Sequence, residues 1–526
     1  MRKVCAFIFL FTAIFIIVSF TTFKVMAAEK TINVVNFASD LPGLSNLGNA
    51  FNPFSFSVLT NVTETLLNYS DEEKKIVPNL AIEWKMLNPK EWQFKLQKGV
   101  KFHNGEDFNA DAVVYNFKRI LDPKTIGTNK ESGVFFVFSG IEKVEKVDDY
   151  TIKFVLKYPD GMFLNRFLLF SAINAPKAVE EMGLDKYVFN PVGTGPFIFE
   201  KYEKGKEIVL KKNPNYWKKG FPKIDKLVFK IMDSSKWIDA IKSGEINLIT
   251  VLDGKQIDFG LKKSINSGDL KQKTCKNARN AFWLILSENG PLKDKRVRQA
   301  INYAIDDEHM LKYLENGVGD ILATTSFRGE FGHNEKLKPY PYNLEKAKSL
   351  LKEAGVDVAK GFTMKFILNE EAVPIFNYLK FQLKSKLNID LQSNVISIEE
   401  QAKKIVGFKT ANGKPNPEFD AYIHYTNSPI DHYGFTAGWQ FFSKSPYALI
   451  EDKEFDKKYL EAMTNHDPVQ HKKLVEEIDK MVLDNSYAIF TYNKTLNLVH
   501  SKDVSLDVCP NLGMFFNYMA QFVDIK

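Results

Sequence analysis

The chain has 526 residues, too many for one hydrophobic core, since cores stop growing near about 250–300 residues. Hydrophobic residues make up 44% and charged residues 26%, an ordinary globular balance. A formal net charge of +7 is too weak over this length to argue for nucleic-acid binding.

The first residues read as an export signal. Arg2 and Lys3 precede a strongly apolar run, and Ala27 and Ala28 supply small residues for cleavage. An uncleaved anchor is the alternative, because the run is nearly long enough to span a bilayer. Cleavage after Ala27 removes Arg2, Lys3 and Lys24, so Lys+Arg falls from 71 to 68 against 64 Asp+Glu, a balance of +4. No later stretch is long and apolar enough to span a membrane, so the mature protein is expected to be soluble.

Residues 31–37 alternate like a first strand. After Pro53, Val58, Val62, Leu66 and Leu67 recur at helical spacing. Trp92, Phe94 and Leu96 alternate as a strand, and Asn104-Gly105 marks a hairpin-type turn. Asn109 can cap a helix whose apolar face is Val113, Val114, Phe117, Ile120 and Leu121, stopped by Pro123. Residues 141–159 form two alternating strands around Asp148-Asp149, and residues 221–232 form another strand. Residues 233–249 give a short helix, a stop at Gly244 and a strand. Residues 291–314 read as one long helical region. Residues 343–356 form a helix capped by Asn343 and ended by Gly355. Two further strands, a helix over 467–485 and a final strand pair follow. The pattern is α/β in two blocks.

Gly193-Thr194-Gly195 invites a phosphate-loop reading, which needs free backbone N–H groups and a helix behind them. Pro196 removes a donor and disfavours helix. The following residues alternate as a hairpin through Phe197, Phe199, Tyr202, Ile208 and Leu210, with the lysines on the outward positions. The stretch reads as scaffold.

Residues 190–231, "NPVGTGPFIFEKYEKGKEIVLKKNPNYWKKGFPKIDKLVFKI", resemble the family 5 extracellular solute-binding proteins, the peptide/nickel receptors of ABC importers. "IVPNLAIEWKM", "WQFKLQKGVKFHNGEDFNADAVVYNFKRILDP", "IDAIKSGEINLI", "LKDKRVRQAINYAID" and "YNLEKAKSLLKEAGV" follow the family's order. The resemblance implies an α/β, two-lobed periplasmic-binding-protein fold of the type II, cluster C-like kind, with a cleft and an added domain. The first lobe is expected from 29–60, 190–280 and 490–526, the inserted domain from 61–189, and the second lobe from 281–489. It implies capture of a peptide or peptide-like solute by hinge closure. It further implies a monomer that docks on membrane permease subunits driven by cytoplasmic ATPases, with no cofactor and no catalytic residue. Without a Cys beside the cleavage point there is no sign of a lipid anchor, which places the protein in a Gram-negative periplasm. Cys275 and Cys509 remain after export and can pair or stay as partly buried thiols.

In peptide-binding relatives the segment corresponding to 419–439 faces the cleft, and an Asp early in it holds the ligand's α-ammonium group. That place falls near Thr426, between Tyr425 and Asn427, where no acid stands. Asp431 can substitute, or can serve as a turn residue. Arg328 offers a fork for a ligand carboxylate or is a surface residue. Trp439 can stack on a ligand or fill the core. Phe135, Phe136 and Phe138 can line the cleft or pack the inserted domain. The runner-up function is a nickel or metal-chelate receptor, with His424, His432 and His500 as the imidazole candidates. A hydrolase is disfavoured: "GLSNLG" has one residue too many for a nucleophile elbow, and "HDPVQH" spaces its histidines by five instead of four.

Overall fold

The computed structural model describes residues 29–35, 44, 53–70, 72–122, 137–252, 257, 259–407, 418–428, 430–506, 509 and 520–526. The export segment lies outside the described residues, as do Phe135, Phe136 and Pro123. No helix among the described residues is long and apolar enough to cross a membrane.

Where alternation was clear, strands form: Thr31–Val35, Glu91–Leu96, Ile141–Asp148 and Thr151–Leu156. The Asn109 carboxamide accepts the Ala112 N–H and starts the helix Ala110–Leu121, which buries Val113, Phe117 and Ile120. Two expectations need correction. The helix after Pro53 ends at Val62, and Leu67 opens the strand Leu67–Ser70 instead of continuing it. The helical region over 291–314 is two helices, Lys295–Ala304 and Asp307–Glu315. The break is chemical: the Asp306 carboxylate caps the second helix by accepting the His309 N–H.

One twelve-stranded sheet runs through both lobes among the described residues. On one side Thr31–Val35 pairs in parallel with Lys226–Lys230 and Leu248–Leu252. On the other, Phe362–Leu368 pairs in parallel with Ile389–Val395 and Ala421–Asn427. Two long antiparallel strands, Leu270–Leu286 and Tyr492–Ser501, join the halves, and their register shifts between Cys275 and Asn280. The first lobe's apolar residues cover its part of the sheet on two sides, around Val34, Leu210 and Leu248 and around Val35, Ile249 and Leu261. Two larger clusters flank the second lobe's strands. Cys275 and Cys509 are disulfide-bonded, with Cα atoms 5.7 Å apart.

The inserted region forms its own four-stranded sheet, in the order Ala81–Asn88, Glu91–Leu96, Thr151–Leu156, Ile141–Asp148. Its core is a nest of phenylalanines. Phe94, Phe117, Phe138, Phe154, Phe163 and Phe167 meet in edge and tilted pairs, so Phe138 is core.

The Gly193-Thr194-Gly195 stretch is scaffold by geometry. A Cβ on Gly193 would lie 2.3 Å from the Val62 carbonyl oxygen, so only glycine lets the two backbones approach. Buried Glu64 holds the region together. It accepts from the Thr194 hydroxyl at 3.0 Å, Tyr216 hydroxyl at 2.9 Å and Trp217 Nε1–H at 2.7 Å, and pairs with Lys218 at 3.3 Å.

Candidate functional site

The inserted region meets the second lobe along a seam. The Gly161 N–H donates to the Met463 carbonyl at 2.7 Å, and the Asn165 carboxamide donates to the Ile430 carbonyl at 2.9 Å. Ile430 of the second lobe packs into the phenylalanine nest, while Met162 packs into the second lobe's core. At one end of this seam lies a cavity of about 610 Å³, a size typical of small-ligand sites. Tyr69 forms its wall from the inserted side. Lys74 lies on the adjoining turn, Glu330, Phe331, His333, Glu335 and Lys336 come from a loop of the second lobe, and Asp431, Lys472 and Glu476 face them.

Its inner end is charged and buried. The Arg279 guanidinium pairs with the Asp431 carboxylate through Nη1 and donates from Nη2 to the Gly329 carbonyl at 3.0 Å. Both residues take left-handed backbone conformations, φ 51° at Arg279 and 53° at Asp431. A non-glycine residue in that region costs about 1–3 kcal/mol unless its surroundings fix it. Arg279 sits where the long strand loses register, and Asp431 lies in the turn before the helix Tyr433–Phe441. Burial, then the neighbouring Asp431 charge, holds the Tyr69 hydroxyl above its ordinary range, with Asp431 and Arg279 within its hydrogen-bonding reach.

Glu330 lies beside this pair. Its carboxylate accepts from the Ser428 hydroxyl and, at 3.0 Å, from the Phe327 N–H. Burial pushes it up to about 7, against the pull of Arg279. Behind the loop, Asp479 accepts from Thr324 and Ser326 hydroxyls and from the Asn334 N–H at 3.0 Å, and burial raises it to about 6. Ser326 also meets His333 Nδ1 at 2.7 Å. This is not a nucleophile triad. Asp479 binds the serine itself, and Ser326 is only 1% exposed, so its hydroxyl has no open side for a substrate.

Among the described residues singled out in the sequence, only Asp431 lines this cavity, and it is already neutralised by Arg279. It is therefore not a ready anion for a ligand's ammonium group. Tyr425 ends its strand packed on Phe282, ring centroids 5.0 Å apart. Thr426 and Asn427 occupy the same strand's end, and their side chains lie outside the described set. Arg328 is exposed beside the cavity loop. Trp439 stacks on Tyr447 at 4.5 Å, on a helix and not in a cleft loop.

The three histidines do not converge. His424 is paired in register with Trp283, and burial lowers it to about 4. His500 Nδ1 lies 2.9 Å from its neighbour's carbonyl. His432 caps its helix by accepting the Gly434 N–H at 3.0 Å on Nδ1, and its Nε2 lies 2.8 Å from Nε2 of His471. His471 Nδ1 is 2.7 Å from the Ala462 carbonyl and so carries its proton there. The His432 Nε2–H therefore donates to His471, both rings are neutral, and neither has a lone pair free for a metal. Among the described residues no group of three His, Cys, Asp or Glu is arranged to hold a metal ion. Sequence reading missed Glu330, Arg279 and Tyr69. "RGEFG" drew attention to its arginine, while its glutamate is the residue that points inward.

Heme-binding protein A of Haemophilus influenzae is 32% identical over 336 residues, 60% of this chain and 59% of that protein. The oligopeptide-binding protein AppA of Bacillus subtilis is 27% identical over 82% of this chain and 81% of its own length. Among solved structures, the periplasmic binding protein DppA of Helicobacter pylori, in complex with the peptide STSA, superposes with a TM-score of 0.79. It covers 94% of this chain and 98% of its own at 21% identity, a likeness of fold. The family model for bacterial extracellular solute-binding proteins, family 5 Middle, matches residues 75–447, well over half of the sequence, and the chain belongs to that family.

Proposed function

We propose that this protein is the periplasmic substrate-binding component of an ABC importer, capturing a peptide or peptide-like solute between its lobes and handing it to a membrane permease. The observation that carries this reading is the cavity at the seam between Tyr69 on one body and Glu330 and Asp431 on the other. A ligand held from both sides stabilises the closed form, which is how hinge closure reports occupancy. The family supports this role, and the relatives named for oligopeptide and peptide binding support the ligand class. The protein acts as a monomeric receptor, not an enzyme. The lobes divide at 29–60, 190–280 and 490–526 for the first, 61–189 for the inserted domain and 281–489 for the second.

The test is to identify by native mass spectrometry what co-purifies with the mature protein, then to measure melting temperature with peptide pools and with Ni²⁺. A rise with peptides and no metal is expected. A rise only with Ni²⁺ plus a chelator such as free histidine would replace this reading with the metal-chelate receptor. No rise with either would place the ligand outside both classes.

A further inference from the structure

The inner end of the seam cavity holds more buried carboxylate than buried cation. Arg279, Glu330 and Asp431 are only 4%, 4% and 5% exposed. Arg279 is committed to Asp431 and to the Gly329 carbonyl. Glu330 has neutral donors only, the Ser428 hydroxyl and the Phe327 N–H. Two buried carboxylates thus share one guanidinium. Burying a carboxylate without a counter-ion is costly, and the cost is met by a proton or by a cation from outside.

The cavity's position says where that cation comes from. Glu330 lines the space between the two bodies, and each of its oxygens keeps a lone pair beyond the bond it already accepts. We propose that Glu330 is the residue that receives a cationic group of the captured solute, a primary ammonium or guanidinium, and that this selects cationic ligands over neutral ones. Ser428 and the Phe327 N–H hold the carboxylate in place, so little ordering is needed on arrival. Asp431 is the positioning partner: it keeps Arg279 occupied and so leaves Glu330 available.

The cation enters in exchange for a proton. Burial raises free Glu330 to about 7, so a protonated form is available to be displaced. A ligand ammonium favours the ionised form, so binding near pH 7 releases protons. Other groups face the same space. Arg279 on the long strand favours ionisation, and Asp431 on its turn opposes it. Tyr69 faces it from the inserted region, Lys74 from the adjoining turn, and His333, Glu335 and Lys336 from Glu330's own loop. Lys472 and Glu476 face it from the helix Pro468–Asn485. The three lysines line the same cavity together with Glu335 and Glu476.

This inference rests on the proposed solute-capturing role, and its test separates the two. Tetra-alanine, agmatine and N-acetyl-tetra-alanine amide are titrated into the wild-type protein and Glu330→Gln, with thermal shift and calorimetry as readouts. Calorimetry at pH 7 is repeated in two buffers of different ionisation enthalpy. The expected result is binding of an ammonium- or guanidinium-bearing probe at least tenfold tighter than the capped peptide. Protons are released on binding in the wild type, and the preference is lost in Glu330→Gln. Equal affinity for capped and free peptide would overturn the role of Glu330 and leave the peptide reading standing. Binding of neither cationic probe nor capped peptide would overturn both. Should Glu330→Gln fail to fold, the wild type's preference for the free over the capped peptide decides, and its absence overturns the inference.

Discussion

Two glutamates are buried to nearly the same degree, Glu64 at 2% and Glu330 at 4% exposure, and the protein treats them oppositely. Glu64 sits at the joint between the inserted region and the first lobe. It is met by a lysine and by hydroxyl and indole donors from three other residues. Glu330 sits at the seam with two neutral donors and an open cavity before it. A buried charge that is fully met is a fastener, whereas one left short of a partner is a request for a ligand. Burial alone does not tell the two apart; what decides is the inventory of neighbours.

The largest effect expected from breaking this contrast is at the fastener. Glu64→Ala strands Lys218, Thr194, Tyr216 and Trp217 together and should cost about 3–5 kcal/mol in denaturant unfolding; a loss under about 1 kcal/mol would deny Glu64 that role. Arg279→Met leaves Asp431 and Glu330 without a cation and should cost a similar few kcal/mol at pH 8. Its loss should shrink toward pH 5, where Glu330 is protonated.

Glu330→Gln should go the other way. Its folded-state value lies above the unfolded one, so the native state binds the extra proton, and the wild type loses stability as pH rises from about 4.5 to 7. The variant should therefore be more stable than the wild type at pH 8, by about 1–3 kcal/mol, with the gap closing by pH 4.5. Melting curves across that range settle the sign. The histidine pair provides an opposite slope. Burial lowers both His432 and His471, so their contribution is present above about 6.5 and is lost as pH falls below it. Gly161 packs on His471, so the loss should appear as easier parting of the seam, read by scattering or proteolysis at pH 5.

Gly193→Ala, which drives a Cβ into the Val62 backbone, should cost about 1–3 kcal/mol in thermal unfolding. The smallest effect belongs to Arg328→Ala. An exposed side chain should change folding by no more than about 0.5 kcal/mol, and a larger loss would mean Arg328 is tied down.

Much of the frame was legible because it rests on local rules. Alternation placed the strands of the inserted sheet, and Asn109, Asn343 and Gly244 cap as their chemistry requires. The helix Val373–Leu387 escaped notice because apolar residues surround it on several faces, which blurs its period. The site was far less legible. Arg279 and Asp431 stand 152 residues apart and meet only through two left-handed turns that no propensity marks. His432 read as a metal candidate because His471, which consumes its lone hydrogen, is 39 residues away. The inward turn of Glu330 depends on Ser428, 98 residues distant.

The bridge between Cys275 and Cys509 has a consequence in time. The two residues are 234 positions apart, and Cys509 is among the last to be made. At translation rates of about 5–20 residues per second, Cys275 waits about 10–50 s for its partner. During that interval Cys5 is the only other cysteine already made, so Cys275 has a single competitor within its own chain.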